Sequence, residues 1–414
     1  MELIADLHFH SKYSRAVSQQ MVIPEIAKWA KRKGIGLVTT TDFTHPLWLR
    51  ELKENLVEAG DGIYRYKDKP TDVLFLLTTE ISSIYSQGGR GHRIHNLVFA
   101  PNFETVGKIS EQLRGYGIKL LSDGRPMTGL SSIELCDLVF SISKDCLIIP
   151  AHAWTPWYSL YGSNSGFDSI EECFGKFSDQ IHAIETGLSS DPAMNWRIEE
   201  LDSRSIVSFS DAHSPKKLGR EATVFEMEKQ FNYQDIKNAI QEQKITYTIE
   251  FYPEEGKYHY TGHRNCGVKQ SPEETKKLGA ICPVCGRKLT VGVMHRVEEL
   301  AKRPVDYQPK NRPPYKMLVP LMEILSEALG VGVSSQMVET EYNRLTERFE
   351  SEFDVLLKTD PLEIAKISGE KVAQGIKRVR EREIVVDPGY DGVFGTVKIW
   401  GEQKEEEKKQ MSLF

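Results

Sequence analysis

Eight apolar, strand-like runs alternate with helical segments over the first 250 residues, and this alternation constrains the fold more than any other feature. Such alternation is typical of parallel pairing, because a crossover helix returns the chain to the same edge of the sheet. The runs are Leu3–Phe9, Gly36–Thr41, Val73–Thr79, Ile94–Phe99, Leu147–Ala151, His182–Thr186, Ile206–Ser210 and Thr246–Phe251. The sequence therefore predicts an α/β fold whose closed form is a distorted (β/α) barrel.

Metal-ligand residues follow five of these runs, each at the point where the strand ends. In the first run His8 and His10 lie two residues apart, so both imidazoles point to the same face. Barrel enzymes place their chemistry at the carboxyl ends of the strands, where such side chains meet. The residues predicted to hold a bi- or trinuclear metal centre are His8, His10, Asp42, Glu80, His152, Asp211 and His213, with His45 and His95 as second candidates. The predicted catalytic carboxylates are Asp42, Glu80 and Asp211.

This set of imidazoles and carboxylates is suited to the hydrolysis of phosphate esters. Bound metal ions lower the pKa of a shared water to make hydroxide, and they neutralise charge on the attacked phosphate. A single His or Asp at a loop start is common on protein surfaces, but five strand ends that carry such residues indicate one site. No serine or cysteine nucleophile is needed.

Two segments beside the predicted centre have residues suited to a nucleic-acid strand. Residues 88–93 are predicted to form a flexible basic loop, and residues 154–161 form an aromatic-rich loop that could stack on an unstacked base. The aromatic loop could equally be a packed lid. The candidate DNA-binding residues are Arg90, Arg93, Trp154, Trp157 and Tyr158.

Four residues in the middle of the chain have the spacing of a structural zinc site, with His263-x2-Cys266 followed by Cys282-x2-Cys285. Six cysteines in 414 residues are too few for a disulfide framework, which indicates a reducing compartment. The sequence shows no secretory signal and no long apolar run. It therefore predicts a cytoplasmic protein without a membrane partner.

The charge of the chain is unevenly distributed, and the distribution bears on DNA binding. The formal net charge is −6, which by itself argues weakly against nucleic acid. Residues 256–316, however, carry 13 Lys and Arg against 5 Asp and Glu. A local basic patch matters more for phosphate contact than the overall sum, so the zinc module is predicted to contact DNA.

The C-terminal part is predicted to be mainly helical, with helical patterns over Leu318–Leu329 and Ser335–Leu357. Residues 361–382 are similar to a helix-hairpin-helix, whose turn presents amides to phosphate. The last residues, Gln410, Leu413 and Phe414, have the spacing of a sliding-clamp-binding peptide. The predicted divisions are 1–250 for the catalytic barrel, 256–300 for the zinc module, 301–400 for the helical DNA-binding region and 401–414 for a flexible tail.

The order and spacing of the strand-end motifs resemble the polymerase-and-histidinol-phosphatase (PHP) superfamily over residues 1–250. The matching pieces are Asp-Leu-His-Phe-His, Thr-Thr-Asp42, Thr-Thr-Glu80, His95-Asn-Leu-Val-Phe, Pro-Ala-His152, Ala-Ile-Glu185 and Ser-Asp211-Ala-His213. The chain departs from that pattern at Phe43, where a histidine often follows the aspartate. The resemblance implies a barrel of PHP type and metal-dependent hydrolysis of phosphoesters.

With the His/Cys module and the C-terminal region included, the whole chain resembles the endonuclease Q family of DNA repair enzymes. That resemblance implies hydrolysis of a phosphodiester 5′ to deaminated bases (hypoxanthine, uracil, xanthine) and abasic sites. It implies damaged DNA as partner, zinc in the module, and zinc, magnesium or manganese at the catalytic centre. The residue spacing alone predicts only a metallophosphoesterase with a zinc module. A histidinol-phosphatase-like small-molecule phosphatase is the alternative, although it would need only the barrel.

Overall fold

A large mixed sheet organises the structure, a computed structural model that describes residues 1–68 and 71–401. The strands are β1 (Glu2–Asp6), β2 (Leu37–Thr39), β3 (Leu56–Gly60), β4 (Ile63–Tyr66), β5 (Leu74–Gln87), β6 (Arg90–Ala100), β7 (Met127–Thr128), β8 (Leu147–Pro150), β9 (Ala183–Glu185), β10 (Ser205–Val207), β11 (Ala222–Glu226), β12 (Tyr247–Glu250), β13 (Thr261–His263), β14 (Val268–Gln270), β15 (Tyr315–Met317), β16 (Val385–Asp387) and β17 (Thr396–Lys398). Each of the eight predicted runs overlaps a strand.

The backbone ladders only partly match the prediction of parallel pairing. The main path of the sheet is β15-β12-β11-β1-β2-β5-β4-β3, with β6 and β7 beside β5 and β8 beside β6. Strands β1, β2 and β5 are parallel to one another, as predicted. By contrast, β11 is antiparallel to β1, and β5, β6 and β8 are successively antiparallel. The α/β prediction is thus confirmed as a mixed α/β fold with a large sheet, and the ladders of the described strands do not close it into a barrel.

A hairpin turn explains why β5 and β6 are antiparallel, and it corrects the predicted flexible loop at residues 88–93. Only Gly88 and Gly89 separate the two strands, and both have positive φ, 59° and 78°. Two-residue hairpins favour such a pair, because their turn matches the twist of the strands. Arg90 and Arg93 therefore lie on strand β6, within a ladder that continues as far as Leu77 and Ala100.

Apolar side chains connect the separate parallel pair β9–β10 to the large sheet. Side chains alternate between the two faces of a strand, so one face of each strand can point into a shared interior. One buried cluster takes side chains from nine strands, and it includes Leu3, Leu37, Ile63, Leu76, Leu97, Ile149, Ala183, Val207 and Phe225. The strand ends that carry the candidate ligands are consequently held around one core.

The helices lie between and after the strands, and most begin at a side-chain cap. They are α1 (Ile23–Lys33), α2 (Pro46–Asn55), α3 (Phe103–Gly115), α4 (Ser132–Ile142), α5 (Ile170–Phe174), α6 (Pro192–Trp196), α7 (Tyr233–Gln241), α8 (Pro272–Leu278), α9 (Val293–Leu300), α10 (Leu321–Leu329), α11 (Gln336–Arg348), α12 (Glu352–Leu357), α13 (Pro361–Ser368) and α14 (Glu370–Arg380). The helical prediction for the C-terminal region is confirmed, with α13 and α14 meeting at Gly369. Among the described residues no helix combines the length and the apolar character needed to cross a membrane.

The C-terminal region is attached to the first half by a ladder and by a buried ion pair. Strand β15 is parallel to β12 at the end of the main sheet. Lys33 Nζ on α1 lies 2.8 Å from Glu352 Oε2 on α12, and both side chains are buried. Glu352 also accepts hydrogen bonds from the Tyr342 hydroxyl and the Leu321 backbone N–H. Gln410, Leu413 and Phe414, the predicted clamp-binding residues, lie outside the described residues.

Candidate metal centre

Three predicted ligands from the first and last of the five strand ends form one group. His8, His10 and Asp211 each offer one ligand atom, and these atoms lie within 4.8 Å of one another. Both imidazoles are buried, and His8 Nε2, His10 Nε2 and Asp211 Oδ1 have no hydrogen-bond partner among the described residues. Buried polar atoms almost always have a partner, because leaving one unpaired costs free energy. The group therefore fits a metal ion.

A second group, made of Glu80, His95 and His152, lies directly beside the first. Glu80 lies between the two groups. Glu80 Oε1 is 2.6 Å from His95 Nδ1 and 3.2 Å from His152 Nε2. Its other oxygen, Oε2, is 3.3 Å from His10 Nε2 and 3.9 Å from His8 Nε2. A carboxylate placed in this way could help either histidine group to hold a metal ion.

The protonation states of the second group suit metal binding. Burial raises the pKa of Glu80, but the adjacent His95 imidazole and the Arg125 guanidinium outweigh it and hold that pKa well below its usual range. Burial lowers the pKa of His95 to about 4. The carboxylate is therefore ionised and the imidazole neutral near pH 7, which are the forms that coordinate a metal.

Two carboxylates lie behind the first histidine pair and fix its orientation. His8 Nδ1 is 2.8 Å from Glu185 Oε1, and His10 Nδ1 is 3.3 Å from Asp42 Oδ1. Because each carboxylate engages Nδ1, the Nε2 atoms are left to face the centre. Glu185 was absent from the predicted ligand set, although Ala-Ile-Glu185 was one of the pieces that matched the PHP pattern.

Asp42, predicted as a ligand and a catalytic carboxylate, is buried behind His10 and lies outside both groups. Its Oδ2 accepts hydrogen bonds from the Ser11 backbone N–H (2.7 Å), the Ser11 hydroxyl (2.7 Å) and the Ser14 hydroxyl (2.8 Å). These three donors occupy the oxygen that would otherwise be free for a metal. The arrangement favours a positioning role for Asp42, and its ligand role stays a prediction.

The two remaining predicted histidines lie at the edge of the centre. The ring of His213 is 5.1 Å from that of His10, edge to face, and its side chain is partly exposed. His45 accepts a hydrogen bond from the Trp48 N–H (3.4 Å) at the start of α2, and its ring stacks on Tyr13. His45 is outside both groups, so its ligand role also stays a prediction.

Backbone strain coincides with the strand ends. Asp42, His152 and Asp211 have φ values of 43°, 32° and 44°, in the left-handed region that non-glycine residues rarely adopt. Each such residue costs of order 1–3 kcal/mol and persists only where its surroundings impose it. The neighbour of His152 is Gly187, where an added Cβ would collide with the histidine. Tight turns at these positions aim the side chains inward.

A cavity of about 560 Å³ opens beside the second group and extends to the His/Cys module. Trp157 and Tyr158, two of the predicted DNA-binding residues, line it, and the Arg93 guanidinium lies 5.5 Å from the Tyr158 ring centroid. Further lining residues are Leu188, Tyr258, Val293 and Phe394. Arg90 is exposed on the hairpin. Aromatic and cationic side chains thus surround a space next to the candidate metal ligands.

Trp154, the third aromatic candidate, is fully buried, which corrects its prediction as a stacking residue. Its indole N–H donates to Asn195 Oδ1 at 2.7 Å, and its ring packs on Tyr161. A side chain with both its face and its N–H occupied cannot stack on a base. For Trp154 the packed alternative was correct.

The predicted zinc ligands come together in one group. His263, Cys266, Cys282 and Cys285 place their ligand atoms within 4.8 Å of one another. Burial raises the pKa of the Cys282 thiol, but hydrogen bonds from the Cys285 backbone and from His263 outweigh it and lower that pKa to about 6. A thiolate near neutral pH is the form that binds a metal, and one imidazole with three thiols in this arrangement fits a closed four-ligand site.

One cationic residue of the centre was missed by the sequence analysis. Arg125 Nη1 lies 3.1 Å from Glu80 Oε2, although Arg125 is on the loop before β7 and follows none of the predicted strands. No spacing or periodicity in residues 116–126 indicates contact with the strand ends. Only the folded structure brings this guanidinium to the site.

Two solved structures are similar to the whole chain. The lesion-specific endonuclease PfuEndoQ from Pyrococcus furiosus is 35% identical with a TM-score of 0.84, over 96% of this chain and 95% of that one. Endonuclease Q in complex with a 27-mer duplex substrate with an abasic lesion at the active site is 34% identical with a TM-score of 0.85, and the match covers 100% of both chains.

Sequence comparisons give one relative that this chain matches over part of its length and one that it matches over nearly its whole length. The family model described as the MJ0043 C-terminal domain matches residues 320–383. Protein MJ0043 of Methanocaldococcus jannaschii is 36% identical over 268 residues, which are 63% of this chain and 33% of that protein. The matched part is thus about one third of that relative's length. Protein YqxK of Bacillus subtilis is 29% identical over 415 residues, 96% of this chain and 99% of its own.

Asparagine substitutions should distinguish a ligand from a positioning residue. Asp211→Asn removes a charged ligand atom and should weaken binding of Mn²⁺ or Zn²⁺ by more than ~100-fold, whereas Asp42→Asn should weaken it by about 10- to 100-fold, as expected for a residue that orients a ligand. Calorimetric titration of the metal-free protein measures both. Asp137→Asn, at an exposed position on α4, is the matched control. Wild-type metal affinity in Asp211→Asn would remove this residue from the centre.

Proposed function

The chain belongs to the endonuclease Q family, and on that premise we propose that it is a DNA repair endonuclease that uses metal-activated water. The proposed reaction is hydrolysis of a phosphodiester 5′ to hypoxanthine, uracil, xanthine or an abasic site. The observation that carries the proposal is the adjacency of two buried ligand groups to a cavity with aromatic walls. The relative solved with an abasic lesion at its active site matches this chain from end to end, which supports DNA as the substrate.

The two ligand groups indicate which residues would hold each metal ion and which would orient the ligands. Bound metal ions would supply hydroxide and neutralise the charge on the phosphate. His8, His10 and Asp211 would hold one ion, and His95 and His152 a second, with Glu80 between them. Asp42 and Glu185 keep the imidazoles in orientation behind them. Imidazole-rich sites suit zinc, whereas the carboxylates would also accept magnesium or manganese.

The cavity would receive the damaged nucleotide in an unstacked conformation. A base that leaves the duplex loses stacking, and the aromatic rings of Trp157 and Tyr158 can replace part of that loss. Tyr258, Val293 and Phe394 complete the wall, and all three follow residue 250. A small-molecule phosphatase would need only the first 250 residues and not these cavity-lining side chains. Their presence counts against the alternative function, a histidinol-phosphatase-like enzyme.

Mapping of nicks tests the proposed function directly. End-labelled duplexes with uracil, hypoxanthine or an abasic site, and an undamaged duplex, are incubated with the protein and Mg²⁺, Mn²⁺ or Zn²⁺. We expect one nick 5′ to each lesion, none in the undamaged duplex, and none with Asp211→Asn. Release of phosphate from small monoesters without any nick in the damaged duplexes would instead support the phosphatase.

We further propose that the His/Cys group binds a structural zinc ion and that its module grips the DNA backbone. Cys282→Ser should release about one equivalent of zinc and weaken binding to a duplex by about tenfold or more, because the module folds around the metal. Hydrolysis of a small phosphodiester should fall much less. Val284→Ser, 69% exposed in the same turn, is the control that should keep its zinc. Unchanged DNA affinity after measured zinc loss would contradict the DNA-binding role.

The C-terminal Gln410, Leu413 and Phe414 are proposed to bind a sliding clamp, on the strength of their spacing alone. Binding near the micromolar range, about 8 kcal/mol, is expected, because such a peptide fills one small apolar pocket. Calorimetry with the clamp of the same organism should detect it for the full chain and lose it after removal of the last five residues. Nicking without clamp reports whether the shortened protein is folded. Equal heats for both proteins would disprove the clamp proposal.

A further inference from the structure

Arg125 brings a positive charge to the edge of the candidate metal centre. Its Nη1 donates to Glu80 Oε2 at 3.1 Å, and this is the guanidinium's one hydrogen bond among the described residues. The side chain is 26% exposed. An arginine carries five N–H donors. Most of them are thus free for a ligand.

The loop that carries Arg125 is fixed on both sides of the residue. The Gly124 backbone N–H donates to the Tyr13 carbonyl at 3.1 Å, and the Ser82 N–H donates to the Pro126 carbonyl at 3.0 Å. A Cβ at Gly124 would collide with the Asp42 carboxylate, so the backbone passes directly over that side chain. The backbone on both sides of Arg125 is therefore fixed before any substrate arrives, and the hydrogen bond to Glu80 orients the guanidinium, as electrostatic catalysis requires.

The charges around the centre create a need for such a cation. Glu80, Asp211, Asp42 and Glu185 place four carboxylates near the point where an anionic phosphodiester would react. Arginine matches phosphate better than lysine does, because its fork can donate two parallel hydrogen bonds to two oxygens. With one N–H directed at Glu80, the outward N–H groups of Arg125 remain for phosphate oxygens.

We propose that Arg125 is a catalytic residue that donates hydrogen bonds to a non-bridging oxygen of the scissile phosphate. The inference rests on the proposed function. In the reaction the oxygen of water bonds to phosphorus and one bridging P–O bond breaks. One water proton ends on the leaving oxygen, which becomes a strand-end hydroxyl, and the other leaves the new phosphomonoester for solvent. Arg125 stays protonated throughout and stabilises the added negative charge of the transition state.

Chemical rescue separates this role from a purely structural one. Arg125→Ala should lower kcat on lesion DNA by about 100-fold or more, the usual effect of removing one transition-state donor. Duplex affinity and bound metal, measured by elemental analysis, should stay near wild-type values. Millimolar guanidinium should restore about a tenth of the lost rate or more, because it can occupy the same space. Arg125→Lys should restore less, since its ammonium lacks the fork.

A matched control lies on the neighbouring chain segment. Arg15 is 72% exposed and pairs with Asp123 of the same loop, so Arg15→Ala should change kcat little and show no rescue by guanidinium. Loss of metal in Arg125→Ala that accounts for its loss of activity, or an unchanged kcat, would overturn the proposal. Assays on bis(p-nitrophenyl) phosphate keep the two proposals apart. If the wild type cleaves this ester but no lesion DNA, the lesion proposal fails and the effect of Arg125 is still measured.

Discussion

A single buried carboxylate, Glu80, joins the two histidine groups, and the rest of the site depends on its remaining ionised. It is 1% exposed, and its charge is stabilised by His95, His152, His10 and Arg125, each of which places a nitrogen within 3.3 Å of one of its oxygens. Its strand, β5, pairs with β2, β4, β6 and β7. Such dense pairing keeps the charge and its partners in one geometry, and a looser strand would let water in and let the two groups separate.

Much of the site could be predicted because its ligands lie at strand ends, which is a local pattern. His8, His10, Glu80, His152 and Asp211 each follow a short apolar run, and the structure brings all of them, with His95, into two adjacent groups. The Cys/His spacing is also a local pattern, so the zinc group could be predicted in the same way. The role of Asp42 could not be predicted from a local pattern, because hydrogen bonds from Ser11 and Ser14 decide which of its oxygens is free.

The remaining features depend on contacts between segments that are distant in the sequence. Arg125 reaches Glu80 across 45 positions, and the face on which Trp154 is buried is decided by Asn195 and Tyr161. The direction of β6 depended on two glycines that were read as a sign of flexibility, although two-residue glycine turns are also typical of hairpins. Strand β11 runs antiparallel beside β1, which strand–helix alternation cannot indicate.

The buried pair of Lys33 and Glu352 has a consequence for how proteins of this architecture can diverge. Each charge is tolerated inside only because the other is present, and removal of one partner from such a pair costs about 3–5 kcal/mol. The two residues are separated by more than 300 positions and lie on either side of the His/Cys module. A recombination event that exchanged the C-terminal helices for helices without a matching carboxylate would leave the buried Lys33 without its partner. The regions are therefore expected to be inherited together.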